Sequence, residues 1–214
     1  MQTRAERTRR RLVLAGAELF DRDGYASATL GQIATTAGVT KGALYFHFAS
    51  KGELADAVQE QGRLMLCEYV EERWLAVQAP IQVLIDLTHW LALGLHEDPV
   101  IRASCRITSE RAGRESAATD FHQVWIRKVL LLLERAQQAG DLRGHLVEDG
   151  PQTLLSAAVC GIEVLAGSGL PYPELRRRVG ALWESLLPAL VPPGDTGRYR
   201  TAEGAAAQVA VAGG

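Results

Sequence analysis

Apolar residues recur at helical spacing along almost the whole chain. Leu12, Ala15 and Leu19 share one face of a first helix that runs from about Arg4 to Asp23, and Gly24 supplies its end. No segment alternates apolar and polar residues between turn signals, as a half-buried strand would. The pattern therefore predicts an all-α fold with nine helices and no strands.

Two short helical patterns meet at Gly38, where a helix end favours a residue that accepts left-handed backbone. Thr29 is suited to cap the first of them, with Gln32 at the capping-box position. Leu44 and Phe48 lie four residues apart and form the inward face of the second. Two short helices joined by a tight turn predict a helix-turn-helix, whose second helix enters the major groove of DNA.

The outward face of the second short helix is unusually polar for its length. Thr40 is placed to cap it, and Lys41, Tyr45 and His47 crowd into barely two turns around the helix-breaking Gly42. A helix built only to pack would carry fewer such residues, whereas a helix that lies in a DNA groove needs them. The alternative is a helix hairpin with a solvated polar face, because helix-turn-helix patterns have many false positives.

Charge is distributed unevenly along the chain. Residues 1–51 hold eight basic and four acidic side chains, a net charge of +4, whereas residues 52–214 hold fifteen basic and twenty-one acidic ones, a net charge of −6. This asymmetry indicates a small nucleic-acid-binding domain on a larger body. Taken alone, the arginines of the first helix would equally suit a solvated helix end.

Other features of composition point to an ordinary globular protein of the cytoplasm. No apolar run reaches the length of a membrane span, and the charged N-terminus lacks the apolar segment of a signal peptide. The three cysteines are odd in number and widely spaced, which is typical of reduced thiols.

Caps and breakers delimit the remaining helices. Ser50, with Glu53 at the capping-box position, predicts the start of a long fourth helix, and Pro80 opens a fifth. Asp98-Pro99 ends the fifth helix. The later segments are a short helix near 100–107, a loop at 109–117, and helices over about 118–139, from about 149 to 167, and over about 173–187. The Ala- and Gly-rich residues 194–214 are expected to be a disordered tail.

The stretch Gly38-Val-Thr-Lys-Gly-Ala-Leu-Tyr-Phe-His-Phe-Ala-Ser-Lys-Gly-Glu-Leu54 resembles the signature of the TetR family of transcriptional repressors. The run Leu19-Phe-Asp-Arg-Asp-Gly-Tyr25 resembles the end of that family's first helix. The segment VTKGALYFHF (residues 39–48) is similar to the corresponding sequence in the γ-butyrolactone (autoregulator) receptor branch of antibiotic-producing actinobacteria. The resemblance implies a homodimeric repressor of antibiotic or secondary-metabolite genes that a small autoregulator releases from a pseudo-palindromic operator. Double-stranded DNA and a small-molecule inducer would be its partners, with no cofactor, no metal and no membrane.

The same resemblance implies the domain roles and the DNA contacts. Residues 1–50 would be the DNA-binding domain, and residues 51–193 the ligand-binding and dimerisation domain. Tyr45 and His47 are similar to the family's phosphate contacts, and Lys51 marks the start of the fourth helix near the DNA backbone. The residues expected at the DNA are Thr29, Thr40, Lys41, Gly42, Ala43, Tyr45, His47 and Lys51.

A mostly apolar ligand pocket with few polar anchors is expected in the body. Trp125 falls where the branch carries a pocket tryptophan, and Cys160 falls where relatives often place a small polar pocket residue. One position departs from the branch, because Gly62 stands where relatives often have a glutamine, with Gln61 beside it. The residues expected to line the pocket are Trp125, Cys160, Trp90, Leu87, Ile107 and Gln61.

The last two long helices have broad apolar faces, which on a monomer would leave an exposed apolar patch. They are therefore expected to form a homodimeric four-helix bundle, and packing within the chain is the alternative. The residues expected at this interface are Leu155, Val159, Leu175, Val179, Leu182, Trp183 and Leu186.

Three other functions stay open at this point. Within the family, a drug-efflux repressor that senses varied hydrophobic compounds is the main rival, and a regulator that binds DNA without any ligand is a third possibility. A small helical enzyme has little support, because no H-E-x-x-H, P-loop or G-x-S-x-G motif occurs.

Overall fold

The computed structural model describes residues 3–77, 79–111, 120–144 and 149–204. Within these ranges the chain forms nine α-helices, a short 3-10 turn and no strand, which confirms the all-α prediction. None of the described helices is long and apolar enough to cross a membrane. The helices are α1 (Arg4–Asp23), α2 (Leu30–Thr36), α3 (Lys41–His47), α4 (Lys51–Val77), α5 (Pro80–Glu97), α6 (Pro99–Arg111), α7 (Phe121–Gln138), α8 (Gly150–Gly167) and α9 (Tyr172–Leu190).

Helix ends agree with the sequence pattern where a cap or a breaker fixes them. α1 runs over Arg4–Asp23 as predicted. α6 continues to Arg111, beyond its predicted end, and residues 112–119, which include most of the expected loop and the expected start of the seventh helix, lie outside the described ranges. α7 begins at Phe121 because the Asp120 carboxylate accepts a hydrogen bond from the Gln123 amide at 3.0 Å, as an N-cap does.

The chain folds as two compact units. The head unit comprises Met1–Met65 and Pro99–Val124, and the body unit comprises Leu66–Asp98 and Trp125–Gly214. The head unit therefore extends past residue 50, where the sequence placed the end of the DNA-binding domain, because α6 packs along α1.

Apolar residues from five helices form the core of the head unit. They come from α1, α2, α3, α4 and α6, and most are almost completely shielded from solvent. Each such aliphatic or aromatic side chain contributes about 1.5–3 kcal/mol through burial. The largest are Leu12, Leu19, Phe20, Ile33, Leu44, Phe48, Leu54 and Ile107.

Polar contacts fix α6 against the end of α1. The Arg102 guanidinium pairs with the Asp21 carboxylate at 2.7 Å, and Arg106 pairs with Glu110 at 2.9 Å. Glu110 in turn accepts a hydrogen bond from the Ala26 amide at 3.0 Å, in the loop that follows α1. Although desolvation by burial acts to raise the pKa of Glu110, this amide and the Arg106 guanidinium lower it below its usual range, so the carboxylate stays ionised. α6 is thus tied to the loop that leads into the helix-turn-helix.

α5 is the buried centre of the body unit. All of its residues from Pro80 to Leu95 are buried, and it packs against α8 and α9. Several of its polar side chains have partners: the Trp183 indole donates to the Thr88 hydroxyl at 2.7 Å, and the Arg73 guanidinium donates to the Asp86 carboxylate at 3.0 Å.

The segment after α9 contradicts the expectation of a tail that is disordered from residue 194. The Gln82 side chain accepts from the Arg200 amide at 2.8 Å and donates to the Arg200 carbonyl at 3.1 Å, while the His89 ring contacts the Thr201 carbonyl at 2.8 Å. The Tyr172 hydroxyl donates to Glu203 at 2.5 Å. Residues 194–204 therefore lie ordered on the body, because they satisfy polar groups of α5 that would otherwise be buried alone. Residues 205–214 lie outside the described ranges.

The expected dimer residues mostly serve the body's own core. Leu155, Val159, Leu175, Val179 and Trp183 are buried within the chain, so a partner cannot reach them, and only Leu182 and Leu186 are half-buried. The sequence pattern selected the most apolar positions, and those are the ones that pack inward. The outward face of α8 instead carries smaller and more exposed residues, namely Leu154, Ala157, Cys160, Gly161 and Val164.

Candidate nucleic-acid interface

Local hydrogen bonds hold the two short helices at a fixed turn. The Thr29 hydroxyl accepts from the Gln32 amide at 3.3 Å, and the Gln32 side chain accepts from the Thr29 amide at 3.0 Å, which completes a capping box on α2. Gly38 has a φ of +61°, the left-handed conformation that favours glycine. The Thr40 hydroxyl accepts from the Ala43 amide at 3.1 Å and caps α3.

α3 separates an inward face from an outward one. Leu44 and Phe48 are buried in the head unit, as predicted. Thr40, Lys41 and Gly42 are exposed, whereas Ala43 and His47 are half-buried. A Cβ placed on Gly42 would meet only the Thr40 hydroxyl, at 3.9 Å, so the start of α3 is open to solvent.

Two aromatic rings project from α3 into solvent. Tyr45 is 57% exposed and Phe46 is 81% exposed, the largest fraction among the exposed large hydrophobic residues that the structure describes. The Phe46 ring meets the His47 ring edge-on, with centroids 5.2 Å apart. Phe46 is not among the residues that the sequence predicts at the DNA, although its position two residues from both Leu44 and Phe48 places it on the opposite face of the helix.

Lys41 supplies a positive charge on the outward face. Its side chain lies across α2, since a Cβ on Gly31 would stand 3.3 Å from Lys41 Cε. Among the described residues its ammonium has no acidic partner and no hydrogen-bond acceptor. An exposed ammonium beside two exposed aromatic rings is suited to phosphate and groove contacts.

The ammonium group of Lys51 is not free to bind DNA, as the sequence predicts it to be. Its ammonium donates to three backbone carbonyls of the loop between α1 and α2, those of Tyr25 at 2.7 Å, Ala26 at 2.9 Å and Ala28 at 3.1 Å. It also lies over the Tyr25 ring, 4.7 Å from the centroid. All three N–H groups are thereby used, so Lys51 holds this loop instead of offering a free cation to DNA.

Two arginines of α1 reach the ends of the helix-turn-helix. The Arg9 guanidinium lies 5.1 Å from the centroid of Phe48, the residue that follows α3. Arg11 donates to the carbonyls of Ala37 and Gly38, at the end of α2. A Cβ on Gly38 would stand 2.8 Å from the Arg11 guanidinium, so this contact also depends on glycine.

Three of the six expected ligand residues are buried in the body unit. Leu87 and Trp90 lie on α5, where the Trp90 ring stacks on Tyr69 with centroids 5.3 Å apart. Trp125 is 2% exposed, and its indole N–H is buried with no acceptor among the described residues. A buried donor without an acceptor costs free energy, so a ligand acceptor that reached the Trp125 N–H would remove that cost.

The other three expected ligand residues do not fit an interior pocket. Ile107 packs in the core of the head unit with Leu12 and Phe20. Gln61 is exposed on α4, and Cys160 is exposed on the outward face of α8. Their side chains therefore serve packing or face solvent.

Gln59, two residues before Gln61 on α4, is a buried glutamine that the sequence pattern does not single out. Gln59 donates to the Ser104 carbonyl at 3.2 Å and the Thr108 hydroxyl at 3.0 Å, and it accepts from the Phe121 amide at 2.9 Å. Gly62 follows one turn later, where an added Cβ would stand 2.5 Å from the Ser104 hydroxyl. A glutamine at position 62 would collide with α6, which gives a physical reason for the departure from the resembling branch.

Known proteins similar to this chain share its helix-turn-helix and its fold. The family model for bacterial regulatory proteins of the tetR family matches residues 12–58. The A-factor receptor protein of Streptomyces griseus is 31% identical over 193 residues, which cover 90% of this chain and 67% of that protein. A crystal structure of a γ-butyrolactone receptor (ArpA-like protein) has a TM-score of 0.77 and 30% identity, covering 92% of this chain and 95% of that one. The structure of CprB from Streptomyces coelicolor in complex with its biological operator sequence has a TM-score of 0.74 and 31% identity, covering 93% of this chain and 96% of that one.

Proposed function

Because the chain belongs to the TetR family of bacterial regulatory proteins, in the branch of γ-butyrolactone receptors that includes the A-factor receptor, we propose that it is a homodimeric, ligand-released transcriptional repressor. It acts on DNA in the bacterial cytoplasm and controls antibiotic or secondary-metabolite genes. Its action is regulatory and involves no catalysis.

The main support for this proposal is the outward face of α3. Tyr45 and Phe46 are exposed aromatic residues on a helix that Thr40 caps and Gly38 orients, and Lys41 adds a cation that has no partner among the residues the structure describes. Exposed aromatic rings are costly to leave in water, so their presence on a short, rigid helix favours a binding role. α3 enters the major groove, where residues near its start reach base edges and Tyr45 and His47 bind phosphates.

Dimerisation uses the outward faces of α8 and α9. Leu154, Ala157, Gly161 and Val164 recur at three- and four-residue spacing on α8, and small residues allow two helices to approach closely. Two copies packed through these faces form a four-helix bundle and present two α3 helices about 34–36 Å apart, one turn of DNA.

The inducer binds in the body unit beside Trp125. A γ-butyrolactone or furan-type autoregulator offers ring and carbonyl oxygens, which suit the buried indole N–H as acceptors. The ligand releases DNA by binding more tightly to a state in which the two α3 helices have the wrong separation. A shift from almost complete occupancy to almost none needs a differential affinity of about 5.5 kcal/mol.

Operator binding by variants of α3 tests the DNA-binding role. The duplex is one that the wild-type protein selects from a random-sequence pool. Tyr45→Ala and Lys41→Ala are expected to weaken binding to it, and Arg177→Ala, which changes charge in the body unit, serves as the matched control. Unchanged affinity in both α3 variants would refute the proposal.

Release by small molecules tests the inducer class. Butyrolactone- or furan-type autoregulators are expected to release the selected duplex, and Trp125→Phe is expected to keep DNA binding but lose release. Release by bulky hydrophobic cations instead would identify a drug-efflux repressor. Absence of release by either class would identify a regulator that acts without a ligand, and loss of DNA binding in Trp125→Phe would make that residue structural.

A further inference from the structure

The N-terminal half of α1 carries a dense group of positive charges outside the helix-turn-helix. Residues 3–11 include five arginines and a single acidic residue, Glu6. We propose that Arg4, Arg7 and Arg10, the arginine surface, bind DNA phosphates that flank the base pairs read by α3. The proposal rests on the proposed function and adds a second contact to each half-site.

These three guanidinium groups are available for a partner. Arg4, Arg7 and Arg10 are exposed, and among the described residues none of them forms an ion pair or a side-chain hydrogen bond. The nearby acid does not neutralise them by contact, because the Glu6 carboxylate accepts the Thr3 amide at 2.6 Å. The other two arginines of the segment already have contacts, Arg9 with Phe48 and Arg11 with the end of α2.

Those two contacts place the turn of α1 that contains Arg9, Arg10 and Arg11 beside α3. Arg11 reaches the carbonyl of Gly38, two residues before the cap of α3, and Arg9 lies against Phe48, the residue that ends it. The arginine surface begins in this turn with Arg10 and continues towards the N-terminus of α1 through Arg7 and Arg4. A duplex seated on α3 brings the phosphates next to its major groove towards this part of α1.

A capping box fixes the start of α1, so the arginine surface lies on a regular helix. The Thr3 hydroxyl accepts from the Glu6 amide at 3.2 Å, and Glu6 completes a capping box, so α1 is helical from Arg4 onwards. Arg4, Arg7 and Arg10 follow one another at three-residue spacing, and like charges at this spacing repel one another and weaken a helix. Because the capped helix already holds the guanidinium groups close together, less ordering is needed when they bind phosphates, and binding also relieves their mutual repulsion.

Phosphate is the chemistry that fits the arginine surface. Guanidinium groups bind phosphate oxygens with two parallel hydrogen bonds, and contacts of this kind carry no sequence information. The arginine surface therefore adds affinity and salt dependence, while the choice of sequence stays with α3.

Salt-dependent binding of a charge-removing variant tests the inference. The probe is the duplex that wild-type protein selects from random-sequence DNA, with generous flanks. R4Q/R7Q/R10Q is expected to bind it with a shallower dependence of log affinity on log salt, by about 0.9 for each lost contact and thus by about 5 for a dimer. Its preference for this duplex over scrambled DNA is expected to stay unchanged. R4K/R7K/R10K, which keeps the charge, is expected to retain the wild-type slope, which attributes the change to lost charge, and an unchanged melting temperature of R4Q/R7Q/R10Q excludes misfolding as the cause.

A matched control separates this surface from net charge. R22Q/R177Q/R198Q removes the same charge from arginines that pair with Asp23, Glu174 and Asp195, and it is expected to keep the wild-type slope. An equal loss of slope in this control would overturn the inference, because overall charge would then suffice.

Trimming the flanks of the duplex gives an independent readout. Shorter flanks are expected to weaken wild-type binding but to leave R4Q/R7Q/R10Q unaffected, because the variant no longer uses those phosphates. If the wild type binds and the variant shows the same slope and the same flank dependence, the inference fails while the proposed function stands. If the wild type selects no sequence at all, the proposed function fails and the inference falls with it.

Discussion

Replacing Lys51 by methionine tests whether this residue is a structural clamp or a DNA contact. Methionine keeps the length of the side chain and removes the ammonium, so the carbonyls of Tyr25, Ala26 and Ala28 lose their common donor. The structure predicts that the head unit loses stability, because no other side chain replaces these three hydrogen bonds in the described loop.

The size of the loss follows from the exposure of the acceptors. A hydrogen bond to a charged group contributes about 1.5–3 kcal/mol, and two of the three, to Tyr25 and Ala28, are partly buried. Water can rehydrate part of these carbonyls, so the free energy of unfolding is expected to fall by about 2–3 kcal/mol. For a protein of this size the melting temperature then falls by about 4–12 °C.

Thermal unfolding and salt-dependent DNA binding together give the assay. Lys51→Met is expected to melt earlier but to keep the wild-type slope of affinity against salt. Lys41→Met is the matched partner: its free energy of unfolding should stay within about 0.5 kcal/mol of the wild-type value, while its slope falls by about 0.9 per protomer. If Lys51→Met melts like wild type and loses slope as Lys41→Met does, the clamp interpretation is wrong and Lys51 contacts phosphate.

Three further predictions concern the turn, a buried histidine and the last ordered segment. Gly38→Ala should lower the free energy of unfolding by about 1–2 kcal/mol, because its φ of +61° is costly for alanine; an unchanged urea midpoint would contradict this. Burial lowers the pKa of His89 below its ordinary value, so the unfolded chain binds the proton more readily and stability should decline as the pH falls below about 6.5. His89→Gln should lose that part of the pH dependence, and superimposable curves would disprove the assignment. Truncation after Pro193 should lower the melting temperature of the body unit by removing the partners of Gln82 and His89; an unaltered transition would show that the segment adds nothing.

Sequence alone located the helices wherever a side chain acts on the nearby backbone. Thr29 and Thr40 cap the helices predicted for them, and Gly38 takes the left-handed conformation expected of it. These features are local, since a cap and the amide it accepts are three residues apart. The inward positions Leu44 and Phe48 were equally predictable, because helical spacing fixes the face on which they lie.

Long-range packing decided what the sequence could not predict. Whether Lys51 meets phosphate or carbonyls depends on a loop more than twenty residues away. The most apolar residues of α8 and α9, such as Val159 and Trp183, pack inward, so an apolar pattern by itself cannot identify a surface between copies. Order at Arg200 likewise arises from Gln82, a partner 118 residues earlier, which no local pattern reveals.

The contact between α5 and the end of the chain has a consequence for the order of folding during synthesis. The head unit is complete once residue 124 has been made, whereas Gln82 and His89 wait for partners 118 and 112 residues further along. Contacts so distant in sequence form slowly, and domains tend to fold in the order in which they leave the ribosome. A growing chain therefore finishes the unit that reads DNA well before the unit that contains α5. Until then the apolar residues of α5, which are buried in the finished body unit, stay exposed to solvent, so this helix is where a chaperone is expected to bind the nascent protein.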